Sequence, residues 1–388
     1  MANVSSSNGL EKRPKLRFPG FDEPWKKCEF KEFAEVNPKC QSIPEQFYYI
    51  DLGSVEDGEL RNEKIENALS APSRAQRLLS CNDVLFQTVR PYQQNNYLFC
   101  EERSLPTVAS TGYAVFRTKY DVLFLYALIH TGHFLNSVLS RCTGTSFPAV
   151  SASDIEDILV SIPSLGEQQK IGELFRLLNS KIRKQKALIE ALKKYKRGVT
   201  EAIFTKDLRF TTKGVPYPQW DKKYVGDICK IQTGKSNTQD ETSQGSYPFY
   251  VRSPIVRKSN RYLFDCEAVL TVGDGVGTGK VFHYVTGKFD LHQRVYAMTD
   301  FKIVSGKYFY YYFSHFFYDR VMRMTAKTSV DSVRYEMIDK MAIQIPCHEE
   351  QQQIVSFLDC LEHSVIEAEK TLNLLEKLKS GCLQQLFI

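Results

Sequence analysis

Apolar residues in the stretch 167–204 fall at Leu178, Ile182, Ile189, Leu192, Val199 and Ile203. The steps alternate between three and four, with Gln185 and Lys196 as interruptions. The stretch lacks proline, and its only glycines are Gly172 and Gly198. So narrow a stripe predicts a long helix whose seam meets another helix, rather than a face sunk in a globule. At about 1.5 Å per residue it makes a rod of roughly 55 Å. Leu361, Val365, Ala368, Leu372, Leu375, Cys382 and Leu386 mark a second stripe at the same phase.

The two stripes belong to an internal repeat. A shift of 183 positions lays Ile162-Pro163 on Ile345-Pro346 and Glu167-Gln168-Gln169 on Glu350-Gln351-Gln352 without a gap. The same shift matches Ile171 with Ile354, Gly198 with Gly381 and Phe204 with Phe387, and reaches back to Thr145-Ser146 on Thr328-Ser329. A second echo sets Leu16-Arg17-Phe18 and Trp25 against Leu208-Arg209-Phe210 and Trp220. The chain therefore reads as two tandem units whose ends agree while their middles differ in length and sequence.

The middles predict a mixed α+β class. Tyr48-Tyr49-Ile50-Asp51-Leu52, the stretch 83–89, Ala268-Val269-Leu270-Thr271-Val272 and the stretch 280–285 read as short strands bounded by Gly, Asn and Asp. Residues 121–141 and 308–324 read as apolar helices in equivalent positions. The aromatic run from Tyr308 to Phe313 is expected to pack a core rather than stack bases. The boundaries expected are a frayed lead-in over 1–13, modules over 14–160 and 205–343, and spacer helices over 161–204 and 344–388.

Charge favours pairing of the two rods. Residues 167–204 hold ten basic and four acidic side chains, whereas residues 350–387 hold three basic and six acidic. Antiparallel pairing is expected, because it lets two related repeats sit at opposite ends of one rod. The whole chain of 388 residues carries a formal charge of +6, compatible with nucleic acid but too weak to establish it. No run approaches the roughly 18 apolar residues of a membrane span, and the polar first residues lack the apolar core of a secretory signal. The ten cysteines form no C-x-x-C pair and read as reduced thiols of a cytoplasmic protein. His130-Thr131-Gly132-His133 has no third ligand nearby, so no metal is expected.

Catalytic motifs fail in turn. Gly273-Asp274-Gly275-Val276-Gly277-Thr278-Gly279-Lys280 resembles a phosphate loop, yet Asp274 stands where the motif needs Gly and Val281 where it needs Ser or Thr. It also joins two predicted strands, so no helix dipole faces a phosphate. No Asn-Pro-Pro-aromatic motif, helicase-type ATP motif, His-Glu-x-x-His helix or Gly-x-Ser-x-Gly elbow occurs. Two variable modules, paired rods and no catalytic motif suggest a ruler that reads something twice.

The layout resembles the specificity subunit of type I restriction–modification systems. The resemblance rests on Leu16-Arg17-Phe18-Pro19-Gly20-Phe21 leading to Trp25, on the two Ile-Pro…Glu-Gln-Gln segments and on the helices that follow. It covers nearly the whole chain. It implies a non-catalytic chain in which each middle is a target recognition domain reading one half of a split double-stranded DNA site. It implies no cofactor in this chain. Two methyltransferase subunits would bring S-adenosylmethionine, restriction/translocase subunits would bring ATP and Mg, and no membrane is involved.

Loops rich in Arg, Lys, Asn, Gln and Ser supply the groups that read base edges. In the first module these are Ser73, Arg74, Gln76 and Arg77, then Arg90, Tyr92, Gln93, Gln94 and Asn95. In the second they are Lys235, Ser236 and Asn237, then Arg252, Arg257 and Arg261, then His292, Gln293 and Arg294, with Gly277 and Thr278 near phosphate. The partner-docking candidates are Ile162, Pro163, Gln168, Gln169 and Ile171 and their repeats Ile345, Pro346, Gln351, Gln352 and Ile354. The competing reading is a coiled-coil scaffold holding two protein partners.

Overall fold

The computed structural model describes residues 13–40, 42–100, 103–275, 277–324 and 332–388. Apart from Arg13, the expected lead-in lies outside the described residues, as do Thr328 and Ser329 of the repeat. The chain forms two units, Met1–Lys186 with Lys370–Ile388, and Ala187–Glu369. Each unit thus takes part of both long helices, Leu165–Phe204 and His348–Gln385.

Unit 1 carries two four-stranded sheets. One runs Glu35–Val36, Tyr113–Arg117, Asp83–Gln87, Tyr97–Phe99, all antiparallel. The other runs Lys64–Asn67, Gln46–Ile50, Thr107–Ser110, Ala75–Leu78, with its central pair parallel. Unit 2 repeats both. Lys230–Thr233, Val295–Thr299, Ala268–Val272 and Phe282–Val285 form the antiparallel sheet. Arg257–Ser259, Tyr247–Tyr250, Lys288–Leu291 and Phe264–Asp265 form the mixed one, again with a parallel centre. A two-stranded ribbon closes each module beside its long helix: Lys26–Glu29 on Leu159–Ile162, and Asp221–Tyr224 on Ala342–Ile345. The duplication therefore extends through the middles, where the sequence match had ended.

The expected helix over 121–141 is two helices, Val122–Leu128 and Gly132–Leu139, bent by 62°. Thr131 makes the break. Its hydroxyl accepts the Phe134 N–H, which starts a new helix instead of continuing the old one. No single helix among the described residues is long and apolar enough to cross a membrane. In unit 2 the matching helix, Gly306–Met324, is continuous, and Tyr308, Phe309, Tyr311, Tyr312 and Phe313 are all buried in the core. Burying a Phe side chain stabilises by about 1.5–3 kcal/mol, so this run anchors the unit.

The seam follows the sequence stripe. Leu178, Ile189 and Ile203 are buried, and the interrupting Gln185 and Lys196 stay half-buried on the same line. Within unit 2 Lys193 pairs with Glu369 at 2.8 Å and Lys196 with Glu362. As one helix number rises the other falls, so the helices run antiparallel there. Within unit 1 Lys186 lies 2.8 Å from Asp57 and 4.0 Å from Glu376.

The short sequence echoes form one buried clamp in each unit. Arg17 donates to both oxygens of Glu167 at 2.9 Å, and Trp25 Nε1 donates to Oε2 at 3.2 Å. Arg209 donates to Glu350 at 2.7 and 2.9 Å, and Trp220 Nε1 at 2.8 Å. Both carboxylates are buried at the start of a long helix, where the dipole also favours negative charge. The hydrogen bond and charge of Glu167 raise the Arg17 pKa.

Candidate nucleic-acid interface

In unit 2 four chain segments end at one rim of the sheets. Lys230–Thr233 leads to Asn237, Tyr247–Tyr250 to Arg252, Ala268–Val272 to Asp274, and Lys288–Leu291 to the turn His292–Gln293–Arg294. They line a cleft of about 370 Å³ with Asn237, Thr238, Gln239, Arg252, Asp274, His292, Gln293 and Arg294 on its walls. Gly234 makes the approach possible: a Cβ there would sit 1.9 Å from the Leu291 carbonyl oxygen. Three sequence-separated clusters are thereby brought together.

Burial sorts the candidates. Ser236 is buried and donates to Asp290 Oδ1 at 2.6 Å, while Arg261 Nη2 donates to Ser236 at 3.0 Å and to Asp240 at 2.8 Å. His292 is buried too, and its Nδ1 accepts the Arg294 N–H at 3.0 Å. Burial first, then the charge of Arg252, holds His292 below the usual imidazole range and so favours its neutral form. Thr278 is buried and donates to the Gly275 carbonyl at 2.5 Å. The expectation that Ser236, Thr278 and His292 face DNA is corrected: these three hold the loops from beneath. Exposed Arg257 pairs with Glu241 at 3.2 Å. Lys235, Arg252, Gln293 and Arg294 are exposed, and Asn237 and Gly277 half so. Arg252 and Arg294 share Asp274, at 3.3 and 3.7 Å.

In unit 1 the loop 88–96 occupies the place that 273–281 holds in unit 2, between the two matching strands of the antiparallel sheet. The Thr88 N–H donates to the Gly112 carbonyl, and the Thr111 N–H to the Arg74 carbonyl, so both basic segments meet at one turn. Arg90 has φ 54 and lies 4.3 Å over the Phe147 ring. Arg77 and Arg90 each hold a buried Nε with no hydrogen-bond partner, and burial lowers the Arg77 pKa. Ser73, Arg74, Gln76, Tyr92 and Gln93 are exposed, Gln94 and Asn95 half-buried. Gln93 accepts from Gln87 Nε2 at 2.8 Å, and the Asn95 N–H donates to Gln87 Oε1 at 3.2 Å, so one buried amide shapes the loop.

Asn96 ties that loop to His130, 3.4 Å away, and His130 Nδ1 donates to the Tyr126 carbonyl at 2.7 Å. Burial pushes the imidazole down to about 4. The unfolded chain takes that proton near the ordinary value of about 6.5. Unit 1 should therefore be fully stable above that pH and lose stability as the pH falls from there toward 4. Chemical denaturation at stepped pH checks this, and His130→Gln should flatten the slope over that window.

The docking candidates are largely interior. Ile162, Pro163, Gln168, Ile171, Ile345, Pro346, Gln351 and Ile354 are all buried. Gln168 Nε2 donates to the Pro163 carbonyl and Gln351 Nε2 to that of Pro346, each at 2.9 Å. These residues close the helix start and are unavailable to a partner. Only Gln169 and Gln352 of the set are exposed, and Gln352 borders an open hollow of about 690 Å³ with Phe210, Tyr217 and Phe357.

The clamp acids and the bracing acids Asp240, Asp274 and Asp290 were not singled out as interface residues in the sequence, where basic and amide side chains draw attention. The clamp did leave a signal, the twofold Leu-Arg-Phe and Glu-Gln-Gln echoes. Among the described residues no group of three His, Cys, Asp or Glu side chains is placed to hold a metal.

Known proteins resemble this chain in sequence and in fold. The chain is 28% identical over 142 residues to the EcoDI type I restriction enzyme specificity subunit of Escherichia coli, covering 37% of this chain and 31% of that protein. It is 21% identical over 293 residues to the MjaIX type I restriction enzyme specificity subunit of Methanocaldococcus jannaschii, covering 68% of this chain and 67% of that one. It thus spans about a third of the bacterial relative's length. The crystal structure of a type I restriction–modification S subunit from M. genitalium superposes with a TM-score of 0.68 at 12% identity, covering 97% of this chain and 99% of that one. The sequence model of the type I restriction modification DNA specificity domain matches twice, at residues 76–194 and 217–379, and the chain belongs to that family.

Proposed function

We propose that each unit reads one half of a split, asymmetric site in double-stranded DNA, and that the chain brings partner enzymes to it. The observation that carries this reading is the duplicated sheet pair, with a polar loop at the same place in each copy. Base edges in the major groove are met by Arg, Lys, Asn and Gln, and Arg and Gln side chains are exposed in the loops of both units. The chain performs no chemistry of its own. Two methyltransferase subunits carry S-adenosylmethionine, and restriction/translocase subunits carry ATP and Mg. The complex works in the cytoplasm.

The duplicated helix starts favour two docking faces, placed on their exposed side around Gln169 and Gln352. Native mass spectrometry should find one copy of this chain with two methyltransferase subunits at saturation. A strict one-to-one complex would refute the paired faces.

Replacing residues 215–335 with the same region of a relative should change one half of the methylated motif and leave the other intact. Methylome sequencing of host cells reads this directly. Change in both halves would count against independent reading. A protein-binding scaffold predicts no motif at all, and no steep loss of DNA affinity with salt.

A further inference from the structure

Gln293 and Asn237 come from segments far apart in sequence and meet at the mouth of the unit 2 cleft. Gln293 Nε2 donates to Asn237 Oδ1 at 2.5 Å. The Gln293 N–H donates to the Ser236 carbonyl at 2.9 Å, so main chain and side chain are both fixed. Asn237 is fixed in turn: its N–H donates to Asp240 Oδ2 at 2.7 Å, and the same oxygen accepts from Arg261 at 2.8 Å. An exposed glutamine usually samples many rotamers, and ordering one costs up to about 2 kcal/mol. Here the brace removes that freedom before any ligand arrives.

The brace leaves a defined edge open. One Nε2 hydrogen is engaged by Asn237. The second hydrogen and Oε1 have no partner among the described residues. An acceptor beside a donor is the complement of adenine in the major groove, whose N6 amino group donates and whose N7 accepts. Guanine offers two acceptors there and would set its O6 against Oε1. Cytosine offers a donor without the neighbouring acceptor, and thymine the reverse. Arg252 and Arg294 flank the site, and their charge is partly balanced by Asp274, which leaves an electropositive mouth for phosphate.

Building on the proposed DNA reading, we propose that Gln293 reads one adenine in the half-site bound by unit 2, and that Asn237 is its positioning residue. The test is methylome sequencing of host cells carrying the full system with this chain or a variant. Exchange of 215–335 first identifies which half belongs to unit 2. That half should contain an A·T pair. Gln293→Ala should relax that one position by about 10- to 100-fold in discrimination and leave every other position stringent. Gln293→Glu, an acceptor only, should move preference at that position from adenine toward cytosine. Asn237→Ala should relax the same position more weakly, whereas Asn237→Asp, which keeps the accepting oxygen, should restore it. A structural role alone would not single out one base position.

A unit 2 half-site without an A·T pair overturns the assignment. So does a Gln293→Ala variant that stays folded and keeps every position stringent, or one that loses all methylation. Wild-type methylation that does not depend on this chain would instead remove the reading on which the assignment rests.

Discussion

Replacing Glu350 with alanine is expected to destabilise unit 2 by about 3–5 kcal/mol, because it strips the counter-charge from a desolvated arginine. Three donated hydrogen bonds converge on that carboxylate, two from Arg209 and one from Trp220. Glu350 is fully buried, and the side chain of Arg209 is only 23% exposed. Alanine would leave the guanidinium and the indole N–H without their acceptor. Arg209 also donates to the Tyr217 and Pro218 carbonyls, so the loop before Trp220 would lose its tether to the helix start. For a unit of this size the loss corresponds to a fall in melting temperature on the order of 10 °C. Glu350→Gln keeps one acceptor and the shape and should cost less. Scanning calorimetry of the full chain should show the unit 2 transition moving and the unit 1 transition staying, with Glu167→Ala giving the reverse. A loss under about 1 kcal/mol would mean that the clamp is incidental to folding.

The clamp also shows where the sequence was legible. Long helices leave a periodic trace many residues long, so Leu165–Phe204 and His348–Gln385 could be placed within a few residues. The ungapped echoes mark buried contacts that tolerate little change, and the Arg–Glu–Trp triads are such contacts. The middles were less readable. A strand asks only for alternation over four or five residues, so Asp83–Gln87 and Ala268–Val272 occupy matching places with different sequences. Their common topology rests on long-range pairing that no local pattern records. The helix break at Thr131 leaves no mark in the pattern because apolar spacing continues across it. At the candidate interface, composition marks the polar loops but not the roles within them. Ser236 and His292 look like readers by residue type and are buried supports. The acidic partner of Ser236, Asp290, lies far away in sequence. The docking residues erred for a related reason. Repetition alone does not mark a shared partner, because the side chains of Gln168 and Gln351 repeat where each closes its own helix start.

A four-residue insertion after Glu190 is expected to keep both half-site sequences and lengthen the unread gap between them by one or two base pairs. The boundary between the units falls after Lys186 on the central helix, so the inserted turn lies just past it, ahead of the ion pairs Lys193–Glu369 and Lys196–Glu362. Four residues add about 6 Å at 1.5 Å each and close slightly more than one turn, so the seam phase nearly survives. DNA advances about 34–36 Å per turn of 10–10.5 base pairs, so 6 Å corresponds to fewer than two base pairs. The C-terminal helix crosses the same boundary after Glu369 and has no added turn, so a single insertion should leave its partner one turn short. A matched insertion after Glu369 should give the same longer gap with higher activity, because both helices then grow together. If instead the helices serve only for docking and loose joints set the spacing, the gap should stay unchanged or become mixed. Mapping methylated sites for the single and matched variants separates these outcomes, and an unchanged gap with full activity in both would end the idea that the helix pair is the ruler.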